Sequence, residues 1–156
     1  LTMFFVFRLI IGADITETPI SSWLLFFSLF IFLFLALNKR IVEIQKLSSS
    51  NNNFYNNYNR GYEVKDLNLL KSLSIASGLI SIFVLSIYFN FSDNYNYYEN
   101  IYFSFSICLL LLIWVIRILF ITQRGQMNYD PIIFSLNDKV SWIIIVLIFF
   151  IFLFNH

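Results

Sequence analysis

The sequence predicts an all-α protein, a polytopic transmembrane helix bundle of about four full spans and one truncated span that form a single domain over residues 1–156. Hydrophobic residues make up 59% of the chain and charged residues only 12%. A soluble chain with so few charges could not cover its surface with polar groups. The apolar residues also fall into long runs separated by short polar segments, which is typical of membrane spans. The lipid bilayer is therefore the first predicted partner.

The first apolar run is too short to cross a membrane. Leu1–Ile11 has eleven residues, whereas a helical crossing needs about 20. It also lacks the basic flank and small-residue cleavage site of a signal peptide. We interpret it as the end of a helix that begins upstream, and the sequence as the C-terminal fragment of a longer protein. Gly12–Ser22, with Asp14, Glu17 and Pro19, predicts a turn-like link.

Four further apolar runs predict the remaining spans. They are Trp23–Asn38, Asp66–Phe89, Ile101–Thr122 and the shorter Val140–Phe154. The helical pattern of the first can continue through Lys46, beyond the membrane. Asp66 is a candidate N-cap for the second.

The positions of the basic residues predict the orientation. The polar links around Asp14 and Asp93 contain no Lys or Arg, whereas residues 39–66 and 123–139 contain most of them. Cytoplasmic loops of membrane proteins carry the excess of Lys and Arg. Both basic loops are therefore predicted to be cytoplasmic, in a protein integral to the membrane, most simply the bacterial inner membrane.

Two local patterns concern structure. Residues 48–59 (SSSNNNFYNNYN) are of low complexity and predict a flexible Asn-rich loop segment. Ser74 and Gly78, like Ser77 and Ser81, are small residues four positions apart. This spacing allows two membrane helices to approach closely.

The first candidate site residues lie at the two ends of the long basic loop. Lys39, Arg40 and Glu43 leave the membrane on one helix, where Lys39 and Glu43 share a face. They could be an interfacial anchor with a surface ion pair, or part of a site. In the RGY tripeptide, Arg60 could fork onto two phosphate oxygens, and Tyr62 could hydrogen-bond or stack.

Three arginines lie elsewhere. Arg8 and Arg117 are inside apolar runs, where a charge costs a few kcal/mol. We interpret Arg8 as structural, whereas Arg117 either faces a polar cavity or snorkels or forms an ion pair. Arg124 belongs to a turn-prone loop that ends in Asn137 and Asp138, one of which is expected to cap the last helix.

Several common catalytic and binding motifs are absent from the sequence. His156 is the only histidine and Cys108 the only cysteine, so there is no catalytic triad and no zinc or disulfide pattern. Neither a Gly-rich phosphate loop nor a nucleotide fingerprint is present. With a net charge of +1, no nucleic-acid partner is predicted.

Three blocks of sequence resemble a known family. FRLIIGADITETPISSWLLFFSLFIFLFLALNKRIVEI, RGYEVKDLNLLKSLSIASGLISIFVLSIYF and WVIRILFITQRGQMNYDPIIFSLNDKVS resemble the C-terminal half of the UbiA-type prenyltransferase superfamily. The branch is similar to decaprenyl-phosphate phosphoribosyltransferase. The resemblance covers nearly the whole chain in order. It implies a partial UbiA-like fold, in which this chain completes a nine-helix bundle together with the N-terminal half of the same domain.

The resemblance also implies a transferase that binds a polyprenyl phosphate or diphosphate through Mg²⁺ and two polar cytoplasmic motifs. The first motif falls outside this chain. The second corresponds to Lys39–Glu43, where KRIVE replaces the usual aspartate-rich sequence. This departure favours phosphate contacts by Lys39 and Arg40 and leaves Glu43 as the candidate metal ligand. The other predicted phosphate-binding residues are Arg60, Tyr62, Arg117 and Arg124.

Two functions are therefore open. The chain is either the C-terminal half of a UbiA-like membrane transferase or a non-catalytic small integral membrane protein. In the first case we expect it to be inactive alone, because the first acidic motif is missing, and prenyl and phosphoribosyl transfer are both possible. In the second case the basic loop only sets topology or binds anionic lipid.

Overall fold

All secondary-structure elements in the described part of the chain are helices. The computed structural model describes residues 2–15, 21–49, 64–91, 101–127 and 130–154. The helices are α1 (Thr2–Ile15), α2 (Ser22–Ser49), α3 (Leu67–Phe91), α4 (Ile101–Gln123), α5 (Pro131–Asn137) and α6 (Lys139–Phe154), and one 3₁₀ turn, Val64–Asp66, precedes α3. The all-α prediction is confirmed for these residues.

Among the described residues, three helices are long and apolar enough to cross a membrane. They contain the segments Ser22–Lys46, Leu67–Asn90 and Tyr102–Gln123. The predicted last span is α6, which follows the short helix α5 at a bend of 77°. A fourth crossing is present by length and composition if α5 and α6 together form one broken span.

Two predicted boundaries are displaced. Helix α1 continues past Gly12 to Ile15, so the predicted link starts too early. A single Gly costs a helix only about 1 kcal/mol, which is too little to end it. Helix α2 continues past Lys46 to Ser49, which confirms its extension and makes residues 48 and 49 helical; the rest of the predicted flexible segment lies outside the described residues.

Helices α2, α3 and α4 pack closely around Gly78 of α3. A Cβ atom at this position would lie 2.8 Å from Val115 Cγ1 on α4 and 3.0 Å from Phe34 Cδ2 on α2. Ser74, Ser77 and Ser81 are also buried. The small residues therefore let α2 and α4 approach α3, as their spacing predicts.

The core runs from this contact towards the end of the bundle where α2 and α4 finish. Its buried members are Phe34, Val42, Val115, Ile118, Leu119 and Met127. Many other large apolar side chains are exposed, several of them on α6. Outward apolar side chains of this kind suit a lipid environment.

A buried amide joins α2 to α3 inside this packing. Asn38 is fully buried, and its Nδ2 donates to Phe34 O at 2.8 Å and to Ser74 Oγ at 2.9 Å. Hydrogen bonds between helices in apolar surroundings add to the packing of small residues. The amide fixes the register of the two helices immediately before the polar residues Lys39 and Arg40.

Candidate functional site

The two basic polar segments predicted from sequence meet at one end of the bundle. Lys39 Nζ on α2 donates to Asp130 Oδ2 at 2.5 Å, although the two residues are 91 positions apart. Asp130 immediately precedes α5 and its Oδ1 accepts from Ile132 N at 3.4 Å. An Asp at the N-cap followed by Pro at the first helical position is a strong helix start. The cap residue of α5 thus also holds α5 against α2.

The second ion pair lies within α2. Arg40 Nη1 donates to Glu43 Oε2 at 2.5 Å, three residues along the helix. The sequence placed Lys39 and Glu43 on one face, but the ion pairs in the structure are Lys39 with Asp130 and Arg40 with Glu43. Residues three and four positions apart are both helical neighbours, so the geometry of α2 alone allows Glu43 to pair with either Lys39 or Arg40. Because α5 places Asp130 beside Lys39, Glu43 pairs with Arg40.

The third ion pair joins α4 to α6. Arg117 donates from Nη2 to Asp138 Oδ1 at 2.8 Å and from Nε to Asp138 Oδ2 at 3.2 Å. Ser141 donates to Asp138 Oδ2 from both its backbone N and its Oγ, each at 3.0 Å. Asp138 therefore caps α6, which confirms one of the two predicted caps. Arg117 takes the ion-pair alternative among those left open by the sequence.

The same contacts set the pKa of Asp138, which lies in the polar segment between α4 and α6. Burial is the largest influence and raises the pKa, but the hydrogen bonds from Arg117 and Ser141 and the charge of Arg117 together outweigh it. The net result is a pKa below the ordinary Asp value. The carboxylate is accordingly held in its charged form.

A cleft opens beside these pairs, between the end of α2 and the turn after α4. Its volume is about 280 Å³. It is lined by Val42, Gln45 and Lys46 of α2 and by Gln123, Arg124, Gly125 and Met127. Gly125 has a φ of +67°, which allows the chain to turn here. Both charged residues of the lining, Lys46 and Arg124, are cations.

Arg124 is exposed, and its guanidinium carbon lies 5.6 Å from the centroid of the Phe120 ring, one helical turn earlier. This distance is within the range of a cation–π interaction.

Arg8, interpreted as structural, is exposed on α1. Arg60 and Tyr62 lie outside the described residues, so their predicted phosphate contacts stay predictions.

Glu43 does not form a metal site with its described neighbours. No group of three or more His, Cys, Asp or Glu side chains that could hold a metal ion occurs within the described ranges. Glu43 is paired with Arg40, and one carboxylate cannot supply the oxygen ligands that Mg²⁺ requires. The described residues alone do not fit the Mg²⁺ that the resemblance implies.

Sequence reasoning missed Asp130 and the lining residues Gln45, Lys46 and Gln123. For Asp130 a signal was present, because Asp-Pro before an apolar stretch indicates a helix start. The local sequence pattern did not predict that Asp130 forms an ion pair with Lys39. The cleft depends on how α2 and α4 end beside each other, which no short motif encodes.

Comparison with known proteins finds partial relatives. The chain is 32% identical over 145 residues to "Uncharacterized protein y4nM" of Sinorhizobium fredii, a match that covers 92% of this chain and 28% of that protein. It is 25% identical over 146 residues to "Nodulation protein NoeC" of Azorhizobium caulinodans, covering 94% of this chain and 47% of NoeC. The chain thus spans less than half of either curated relative.

No family model matches the chain, and no solved structure matches it. Over its described residues the chain is all-α, with three helices long and apolar enough to cross a membrane. The resemblance to UbiA-type enzymes stays a prediction.

Proposed function

We propose that this chain is part of a UbiA-like membrane transferase that acts on a polyprenyl phosphate or diphosphate. One observation carries the proposal: the KRIVE segment, which the resemblance assigns to the second motif, lies at one end of a helix bundle together with Arg124, a predicted phosphate-binding residue, and with Asp130. The contact between Lys39 and Asp130 joins them. A cleft with two cations lies beside them.

The physical chemistry of such a substrate suits this end of the bundle. An isoprenoid tail belongs in the hydrocarbon of the bilayer, and its phosphate belongs at the polar surface. Basic side chains held in place before the reaction stabilise negative charge that develops on a phosphate. Lys39, Arg40 and Arg124 are the described basic residues that the proposal assigns to this task.

Mg²⁺ enters the proposal only through the resemblance. Because the described residues do not form a magnesium site, further carboxylates would have to come from elsewhere in the complete protein, with Glu43 joining them. The chain spans less than half of its curated relatives, so the donor, the acceptor and the choice between prenyl and phosphoribosyl transfer are proposals for the whole protein. The name of NoeC refers to nodulation and specifies no reaction.

A non-catalytic membrane protein is the second candidate, and the ion pairs favour it. Lys39, Arg40 and Arg117 each bind a carboxylate of the same chain. In this case the basic residues hold α2, α4, α5 and α6 in place and have no substrate. The two candidates make different predictions about Lys39.

A charge swap at Lys39 and Asp130 separates them. The complete gene product is assayed in membrane vesicles with Mg²⁺. Phosphoribosyl transfer is tested with radiolabelled undecaprenyl phosphate and phosphoribosyl diphosphate. Prenyl transfer is tested with radiolabelled undecaprenyl diphosphate and a membrane extract as the source of acceptor. Conversion of the labelled lipid is measured by thin-layer chromatography. We expect Lys39→Ala and the double variant K39D/D130K both to lose about 100-fold or more of the wild-type rate, because the swap restores the ion pair but moves the positive charge.

Lys139→Ala, at an exposed position of the same end, should retain the rate and serves as the control. Wild-type vesicles that convert neither labelled lipid would contradict the transferase proposal. Recovery of the rate in K39D/D130K would show instead that Lys39 acts only through its ion pair.

A further inference from the structure

The cleft lies where the candidate span of α4 ends and where α2 continues past its apolar run. The segment of α4 that is apolar enough to cross a membrane ends at Gln123, which lines the cleft. The apolar run of α2 ends at Asn38, and the polar extension that follows it contributes Val42, Gln45 and Lys46 to the lining. In a bilayer, residues at and just beyond the end of a span lie near the level of the lipid headgroups. The cleft is therefore within reach of lipid phosphates.

The charge of the cleft suits an anion. Lys46 and Arg124 are the charged residues of its lining, and Gln45 and Gln123 add side-chain amides. Lys39 and Arg40, which lie on α2 outside this lining, form ion pairs with Asp130 and Glu43, respectively. Arginine can bind two phosphate oxygens at once, whereas lysine acts as a point charge.

An apolar strip leads from the cleft along the outside of α4. Leu109, Ile113, Ile116 and Phe120 are all exposed. They follow one another at intervals of four, three and four residues, so they lie on one face of the helix. Arg124 continues this face, since its backbone N donates to Phe120 O at 3.0 Å as in a helix. A chain lying on this strip would place its polar end at Arg124.

We propose that the cleft binds the phosphate headgroup of a membrane-embedded phosphoester lipid, with Lys46 and Arg124 on the phosphate oxygens and the lipid chain along the α4 strip. The proposal rests on the proposed function in one respect, that the chain spans a membrane. A polyprenyl phosphate and an anionic phospholipid share this chemistry, and so does free phosphate without a chain.

Native mass spectrometry of the complete gene product in neutral detergent tests the proposal without catalysis. Three probes are titrated separately: undecaprenyl phosphate, phosphatidylglycerol and inorganic phosphate. We expect K46Q/R124Q to weaken the binding of the lipid phosphate by about tenfold or more, because it removes both charged partners. The control K71Q/K139Q removes the same charge from α3 and α6 outside the cleft and should change binding less than about twofold.

The single variant R124Q is included because Arg124 is exposed on a turn, so its substitution should not disturb folding. It should weaken lipid binding several-fold while the circular dichroism spectrum stays unchanged. Binding of undecaprenyl phosphate alone would assign the site to a polyprenyl ligand, and binding of both lipids would assign it to lipid phosphates in general. Equal losses in the cleft variant and the control, no loss in either, or binding of inorganic phosphate as tight as that of the lipids would overturn the proposal. Lipid binding without transfer in vesicles would leave the site intact and contradict the transferase.

Discussion

Asp138 illustrates how much one side chain can determine. Its two carboxylate oxygens accept both donors of the Arg117 fork, and one of them also accepts the first-turn hydrogen bonds of α6 from Ser141. The side chain of Asp138 is 13% exposed and that of Arg117 is 35% exposed. Solvent thus screens the arginine in part, whereas the loss of the carboxylate would affect both the ion pair and the cap.

Asp138→Ala should therefore destabilise the protein by about 2 kcal/mol, the sum of a lost cap and a lost charge-assisted pair. The measurement is unfolding in mixed micelles with increasing dodecyl sulfate, followed by circular dichroism. Asn137→Ala is the matched control, because Asn137 is adjacent and exposed and should change stability little. Equal effects of the two substitutions would refute the role of Asp138.

The lowered pKa of Asp138 gives the same residue a pH dependence. Because the folded pKa is below the unfolded value of about 3.9, the contribution of Asp138 to stability is fully present above that value. It is lost as the pH falls through the lower, folded pKa. In Asp138→Ala this part of the acid sensitivity should disappear.

At the scale of elements, the path of α3 between α2 and α4 depends on Gly78. The nearest atoms to its missing side chain belong to Val115 and Phe34, both fully buried. Val115 is β-branched and cannot rotate freely out of the way. A tightly packed contact of this kind tolerates little added volume.

Gly78→Ala should destabilise the bundle by about 1–3 kcal/mol through overpacking, in the same dodecyl sulfate titration. Gly12→Ala is the matched control, because no atom other than its local neighbours lies within 4 Å of the added Cβ. There the change should be neutral or slightly stabilising, since Ala is the better helix former. A Gly78→Ala protein as stable as the Gly12→Ala protein would show that the three helices do not meet as closely as described.

At the scale of the whole molecule, the ion pairs and the cleft gather at one end, where α2 and α4 finish and where α5 and α6 begin. The positive-inside rule predicts that this end is cytoplasmic. Asp14, on α1, belongs to the opposite side in the predicted topology. Both Asp14 and Lys139 are exposed, so each can report on its side of the membrane.

Asp14→Cys and Lys139→Cys, each combined with Cys108→Ser, should be labelled from opposite sides. We expect a membrane-impermeant maleimide to label Lys139→Cys only in inside-out vesicles and Asp14→Cys only in right-side-out vesicles. Ile113→Cys lies in the middle of the α4 span and is exposed to its surroundings. It should react only after solubilisation, and it is the control for access through the lipid. Labelling of both reporter positions from one side would contradict the predicted topology.

The sequence by itself determined the features that depend on neighbouring residues. The apolar runs of α2, α3 and α4, a cap at Asn137 or Asp138 and the small residues around Gly78 were all predictable, because each follows from a local period or from a residue type at a helix end. The structure then selected Asp138 as the cap. The end of α1 was wrong by a few residues, since one glycine does not stop a helix.

Only the tertiary structure decided which charges meet. Lys39 had a possible partner in Glu43 one turn away, yet it binds Asp130, 91 positions along the chain. That choice depends on where α5 rests against α2. The same docking of α2 beside the end of α4 forms the cleft with Lys46 and Arg124. Local pattern specifies helices because their hydrogen bonds are local, whereas a side chain's partner is specified by the packing of helices that are distant in sequence.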